Sequence, residues 1–291
     1  MKLTKAVIPV AGLGTRFLPA SKEIPKELFP LLNKPVLLYL VEEAVASGIE
    51  EIILVNHPRK NAIEKFFQPL PSLEHELKEK GKMDLLDQVH ALTKLAEFRT
   101  VFQREPKGLG HAVLCAKEAV GPETFAVILP DDPIDHAIPC LQQMRKVAEK
   151  KHQGVVAVMQ VSREKASSYG MVAFSSQEGR LLKLTSVVEK PDPQKTPSLF
   201  AIVGRYILPA STFEILENLP PGRLGEIQLA DAVDRLAQSE GFWGYEFEGE
   251  RYDAGDTLGF VMANVHYALK DPEFKKPLMN YLRKKINEQS S

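Results

Sequence analysis

Residues 11–16 read Ala-Gly-Leu-Gly-Thr-Arg, and Pro25-Lys26-Glu27 follows shortly after. Gly12 and Gly14 allow a ligand close to the backbone and let successive N–H groups turn toward one hollow, which suits an anion. Arg16 can fork onto phosphate oxygens, and Thr15 can donate a hydroxyl hydrogen bond. Lys26 adds a compact charge on a flexible stem that can follow a moving phosphate. With Ala11 leading in, this is the chemistry of a polyphosphate cradle. Taken alone, a G-x-G after a strand is also an ordinary turn. The dinucleotide fingerprint fails on spacing, because Phe17 stands where a third glycine would be, and the Walker string is absent from this segment.

Three further groups carry chemistry. Gln103 offers an amide donor and acceptor side by side, a match for the edge of a uracil ring, and Gly108 allows backbone to lie against a base. Asp131 and Asp132 put carboxylates after an apolar run. Magnesium takes one or two carboxylates together with phosphate oxygens and waters, which makes Asp131 the first candidate ligand. Glu189-Lys190 pairs an acceptor for vicinal hydroxyls with a mobile cation for a phosphate. Each has a plainer reading too: a strand–helix turn, solvated turn aspartates, an exposed ion pair.

The elements that must position these residues follow from periodicity. Apolar residues run continuously through Lys5–Val10 and Glu51–Asn56, as in buried strands. Val36 to Ser47 carries a helical stripe ended by Gly48. Strands are expected at Thr100–Gln103, Phe125–Leu129 and Val155–Val161, with helices at Pro58–Phe67, Gly108–Val120 and Ile138–Lys151. This alternation predicts an α/β fold with a doubly wound, mostly parallel, Rossmann-like sheet, and such sheets bind ligands at the carboxyl ends of their strands. Residues 68–98 read as a charged helical insertion. From about 165 to 210 the texture becomes antiparallel: Tyr169–Phe174, Leu181–Glu189 and Phe200–Leu208 are strands with little helix between. Helices return at Ser211–Asn218, Gly225–Gln238 and about 256–291, the last with a Lys-rich tail. No linker or repeat divides the chain, so residues 1–291 are expected to form one domain.

Composition narrows the partners. The 291 residues carry a formal net charge of −1, so no bulk field draws the chain to nucleic acid or to an anionic membrane. No apolar run approaches the roughly 18 residues of a membrane span, and the N-terminus lacks the pattern of a secretory signal. Cys115 and Cys140 stand apart, without C-x-x-C spacing, and fit a reducing cytoplasm. Phosphate binding must therefore rest on local cations.

The joint pattern G-x-G-T-R followed by P-K-E resembles the signature loop of the sugar-1-phosphate nucleotidylyltransferases. The longer string AGLGTRFLPASKEIPKELFPLLNKP is most similar to the bacterial branch that makes UDP-glucose. EPKGLGHAV resembles that branch's base-recognition segment, and Leu129-Pro130-Asp131-Asp132-Pro133 departs from the glycosyltransferase D-x-D pattern and fits this one. The resemblance implies that Asp132 lies near the sugar, that Glu189 holds sugar hydroxyls and that Lys190 holds the sugar phosphate. It also implies that Gly170 and Gly204 neighbour the sugar, through the Y-G and A-I-V-G-R-Y segments, and that Asp253 in Tyr252-Asp253-Ala254-Gly255 supplies a second contact to Mg²⁺. The implied reaction is transfer of the uridylyl group of UTP to glucose 1-phosphate. The sugar phosphate attacks the α-phosphorus in line, aided by Arg16, Lys26 and Lys190, without a general base. The implied assembly is a homo-oligomer, dimeric or tetrameric.

The chain departs from the pattern at Ser198-Leu199-Phe200-Ala201, at Arg223-Leu224-Gly225 and at Ala230-Asp231. These lie on or near the sugar side. They keep open another base such as thymine, another hexose 1-phosphate, or a weakly active nucleotide-sugar-binding regulator.

Overall fold

A computed structural model of the chain describes residues 2–222 and 225–289. Arg223 and Leu224, two of the departures noted above, lie outside the described residues, as do the last two residues of the tail.

The strands are β1 (Lys5–Pro9), β2 (Pro30–Leu31), β3 (Lys34–Pro35), β4 (Glu51–Asn56), β5 (Glu97–Phe102), β6 (Phe125–Ile128) and β7 (Ile134–Asp135), followed by β8 (Gly154–Gln160), β9 (Gly170–Glu178), β10 (Leu181–Glu189), β11 (Phe200–Leu208), β12 (Phe242–Glu246) and β13 (Glu250–Arg251). The helices are α1 (Val36–Ala46), α2 (Asn61–Phe66), α3 (Pro71–Glu79), α4 (Met83–Leu92), α5 (Leu109–Leu114) and α6 (Lys117–Val120), then α7 (Cys140–Lys151), α8 (Ser211–Asn218), α9 (Leu229–Ser239), α10 (Thr257–Lys270) and α11 (Pro272–Gln289).

Nine strands form one sheet in the order β5-β4-β1-β6-β11-β8-β12-β10-β9. β5, β4, β1 and β6 run parallel. β11 threads antiparallel between β6 and β8, and β12 then pairs parallel with β8. The antiparallel extension therefore continues the parallel sheet.

Both faces are covered, and alternation along each strand explains how. Val7, Ile53, Val55 and Val127 point into one core with α5, α8 and α9. Ala6, Ile8, Ile52, Leu54, Ala126 and Ile128 point into the other with α1 and α7. This is the doubly wound arrangement, in which residues just beyond β1, β4, β5 and β6 share one edge.

Several boundaries differ from the sequence reading; β5 starts earlier, at Glu97, and β9 runs on to Glu178. The Gly108–Val120 helix is interrupted between α5 and α6. The helix expected from Pro58 starts at Asn61, after a turn in which the Lys60 N–H donates to His57 O at 2.9 Å. The helix expected from Gly225 starts at Leu229, because the backbone of Ile227 pairs elsewhere: its N–H donates to Lys107 O and its carbonyl accepts from Gly110 N, each at 2.8 Å. No helix among the described residues is long and apolar enough to cross a membrane.

Candidate active site

The loop after β1 is open. Gly12, Leu13, Thr15 and Arg16 are exposed, and Ala11 and Gly14 are half-buried. Of the two glycines, only Gly14 takes a left-handed backbone, at φ +66°. A side chain there would also press on Ser21 and on the Lys26 stem, at 3.2 and 3.4 Å. A Cβ on Gly12 would meet no protein atom within 4 Å, so its surface faces open space. Phe17, at the vacant third-glycine position, packs edge-on against Phe29 and Phe260 with centroids 5.3 and 5.7 Å away. That aromatic contact anchors the loop to α10.

The tripeptide Pro25-Lys26-Glu27 is held from below. Glu27 is buried and accepts from Lys60 Nζ at 3.0 and 3.1 Å, while the same ammonium donates to Val10 O at 2.8 Å. Burial raises the Glu27 carboxyl above its ordinary value and lowers Lys60 below its own; each partner's charge offsets part of the cost. This pair links the end of β1 to residues after β4. Lys26 itself reaches across the sheet edge, and its Nζ donates to Asp131 Oδ2 at 2.5 Å. Burial pulls the Lys26 ammonium down, but the charge and hydrogen bond of Asp131 outweigh it and raise it overall.

Asp131 and Asp253 meet around Gly255. A Cβ on Gly255 would lie 2.5 Å from Asp131 Oδ2 and 3.0 Å from Asp253 Oδ1. Glycine is required there so that two carboxylate oxygens from distant segments can converge. Ala254 N donates to Asp131 O at 2.8 Å, which fastens the two segments together, and Arg16 Nη1 approaches Gly255 O at 3.5 Å. Among the described residues, no group of three or more His, Cys, Asp or Glu is placed to hold a metal.

Asp132 points the other way and is buried. Its Oδ2 accepts from Gly204 N at 3.2 Å and its Oδ1 from Arg251 Nη2. Burial pushes its carboxyl up to about 6, against the opposing pull of Arg251. Beneath it, the fully buried Arg205 grips Glu43 of α1 at 3.0 and 2.7 Å and donates to Asp132 O at 2.8 Å. Glu43 in turn accepts from Leu141 N at the start of α7. The Asp131-Asp132 turn is thus braced to both helices of that face.

Beyond β11, register shifts interrupt the β9–β10 hairpin between Lys183 and Ser186. Its open end meets β11, where Met171 pairs with Ala201. This brings the ends of three strands together. Gly170 is buried, and a Cβ there would lie 3.1 Å from Glu189 Oε2. Lys190 has φ +45°, its N–H donates to Tyr169 O at 3.0 Å, and its ammonium lies 3.2 Å from Glu189. Gly204 has no room for a side chain, since a Cβ would sit 2.6 Å from Leu129 Cβ and 2.7 Å from Asp132 Oδ2.

One cavity of about 570 Å³ joins much of this. Arg16, Asp131, Asp132, Gly170, Glu189, Lys190, Gly204 and Asp253 all line it. Lys26 abuts it through Asp131. Ala11 instead borders a second hollow of about 260 Å³, shared with His57 and residues 59–62. Gln103 and Gly108 sit together at the head of α5. The Gln103 amide nitrogen donates to Gly108 O at 3.0 Å and meets His111 Nδ1 at 3.0 Å, so a base would find those donors already engaged. Gly108 has φ +93°, and a Cβ there would lie 2.6 Å from Ile227 O. The glycine is needed for packing against Glu226 and Ile227.

The Nucleotidyl transferase family model matches residues 5–269. The chain belongs to this family. A Bacillus subtilis (strain 168) member, named UTP–glucose-1-phosphate uridylyltransferase, is 43% identical over 288 residues, 99% of each chain. A UTP-bound UGPase from Acinetobacter baumannii superposes with a TM-score of 0.89 at 40% identity, covering 97% of this chain and 99% of that one. A UDP-glucose pyrophosphorylase complexed with UDP-glucose gives 0.84 at 36% identity, covering 93% and 100%.

Three features carry no assignment from the sequence: Arg251, the Arg205–Glu43 pair and the Lys60–Glu27 pair. Arg251 had a signal. It precedes Asp253 by two residues in an extended segment, and that spacing puts both on one side. It spans Asp132 and Asp253, lies 3.5 Å from the Tyr169 hydroxyl, and its buried Nε has no hydrogen-bond partner among the described residues. The two buried pairs had no signal, since their partners lie 162 and 33 residues apart.

Proposed function

We propose that the chain is a UTP–glucose-1-phosphate uridylyltransferase, joining UTP and glucose 1-phosphate into UDP-glucose and pyrophosphate. The observation that carries this reading is the single cavity in which an exposed phosphate-type arginine, a converging carboxylate pair and a Glu-Lys pair face one another. Relatives with that name match the chain end to end.

In this reading the glycine loop, Arg16 and Lys26 take the triphosphate, and Gln103 with the Gly108 turn flanks the base. Lys190 steers the sugar phosphate toward the α-phosphorus, and Glu189, with Asp132 and the backbones of Gly170 and Gly204, seats the hexose. The difficulty is bringing two polyanions together, so the residues align and neutralise. The attacking oxygen is already ionised near neutral pH, and no histidine is needed as a base. Pyrophosphate departs against Arg16 and Lys26.

Asp131 and Asp253 would hold Mg²⁺. Two converging carboxylate oxygens, completed by substrate phosphates and water, suit that ion better than a dedicated protein cage would. When bound, it supplies further neutralisation of phosphate charge. We place the enzyme in the cytoplasm, supported by two free thiols, Cys115 and Cys140. We also read it as a single-domain subunit of a homo-oligomer, supported by the exposed apolar stripe Leu258, Val261 and Met262 on α10.

The test is pyrophosphate release with Mg²⁺, a panel of nucleoside triphosphates and a panel of sugar 1-phosphates. UTP with glucose 1-phosphate should be the best pair, and Asp131→Ala should lower turnover by about 10²-fold or more. Preference for another pair would overturn the substrate assignment, and full activity of Asp131→Ala would remove that carboxylate from the metal site.

A further inference from the structure

We propose that Lys26 is a place-holding cation: it occupies the metal side of Asp131 until an ion arrives with the triphosphate, and then swings onto the phosphates. The inference rests on the reading of Asp131 and Asp253 as the metal-holding pair.

The Asp131 oxygen that Lys26 grips is the one that counts. Lys26 Nζ lies 2.5 Å from Oδ2, and Oδ2 is also the atom that faces Asp253 Oδ1 across Gly255. An ion shared by the two carboxylates must take this oxygen, so the ammonium has to leave it. The stem offers a route. Its Cβ and Cγ rest 3.4 Å from the position of a Cβ on Gly14, in the wall of the phosphate loop. The backbone at Lys26 is anchored by the buried Glu27–Lys60 pair, so the movement belongs to the flexible four-carbon side chain.

The exchange couples two ligands. A metal ion alone would leave the ammonium of Lys26, whose side chain is 16% exposed, without its carboxylate beside the like charge of Arg16. A triphosphate alone would draw Lys26 away and leave Asp131 without its cation. Together, ion and phosphates satisfy every charge, so each favours the other's binding. Metal bound by the empty protein is correspondingly disfavoured.

A merely structural Lys26–Asp131 bridge predicts the opposite outcome in one experiment. Mn²⁺ is titrated into the full chain without nucleotide, and free Mn²⁺ is followed by electron paramagnetic resonance. Lys26→Met should bind Mn²⁺ on the order of tenfold more tightly than the parent, because a contacting cation is gone. Lys26→Gln should do the same, and Lys26→Arg should stay near the parent. Adding Asp131→Asn to Lys26→Met should abolish the gain. Equal or weaker binding by both neutral variants, including no detectable binding by any protein, overturns the place-holder. A gain that survives Asp131→Asn puts the ion elsewhere, and sinks the underlying assignment of Asp131 as well.

Discussion

The two halves of the site are built in opposite ways. On the side proposed to take the triphosphate, Gly12, Leu13, Thr15 and Arg16 stand exposed, with Leu13 59% accessible, and the loop is tied down by the Phe17 ring contacts, the Ser21 hydroxyl on Gly14 O at 2.7 Å and the buried Glu27–Lys60 pair below it. On the side proposed to seat the sugar, Asp132 is 5% and Arg205 0% accessible, and hydrogen bonds tie them to β11 and α1 and, through Glu43, to α7. The difference follows from the forces involved. Attraction between cations and phosphates falls off slowly with distance and tolerates slack, and a bulky anion needs an open way in and out. Hydroxyl recognition relies on hydrogen bonds, which weaken steeply outside a narrow geometry, so the groups that make them must be fixed beforehand.

The contrast is sharpest at Arg205. Arg205→Met leaves Glu43 buried without its partner and should destabilise the fold by about 3–5 kcal/mol in urea unfolding. Adding Glu43→Met should recover much of that loss. A neutral Arg205→Met would mean that the sugar side is not braced as described. Arg16 makes the opposite case. Arg16→Gln should lower kcat/KM for UTP by about 10²-fold, while unfolding stability stays within about 0.5 kcal/mol of the parent. A comparable loss of stability would erase the distinction between the halves.

A further effect concerns Asp132. Its carboxyl is pushed by burial from an ordinary 3.8 to about 6. A carboxyl raised on folding contributes stability that is full below the unfolded value and is lost as pH rises through the folded one. The stability of the parent relative to Asp132→Asn should therefore fall, on the order of 3 kcal/mol, between about pH 4 and about pH 7. Parallel pH profiles for the two proteins would show that Asp132 titrates as though exposed.

Much of the fold was legible because the signals were local. The strand at Glu51–Asn56, the helix from Val36 and the strands at Leu181–Glu189 and Phe200–Leu208 stand where periodicity put them. Local pattern failed where backbone groups found distant partners. Helix α9 starts late because Ile227 bonds to Lys107 and Gly110. The two glycines after β1 read alike in the chain, yet only Gly14 takes a left-handed backbone. The residues proposed to take the triphosphate could be grouped from the chain because they lie within 16 positions of one another, Ala11 to Lys26. Arg251 could not be matched to Asp132, 119 residues away, from either segment alone.

By itself the sequence determined the types of group present: a glycine-lined cation loop, carboxylates at strand ends and a Glu-Lys pair. Side-chain chemistry and short-range periodicity are properties of neighbours along the chain. Only the tertiary structure decided which of them face one another. It set Asp131 against Asp253 across Gly255 and put Lys26 on the oxygen between them. It also turned the end of the β9–β10 hairpin back beside β11. Those meetings depend on sheet order, which is settled by burying two apolar faces at once. A linear pattern of residues does not contain that three-dimensional condition.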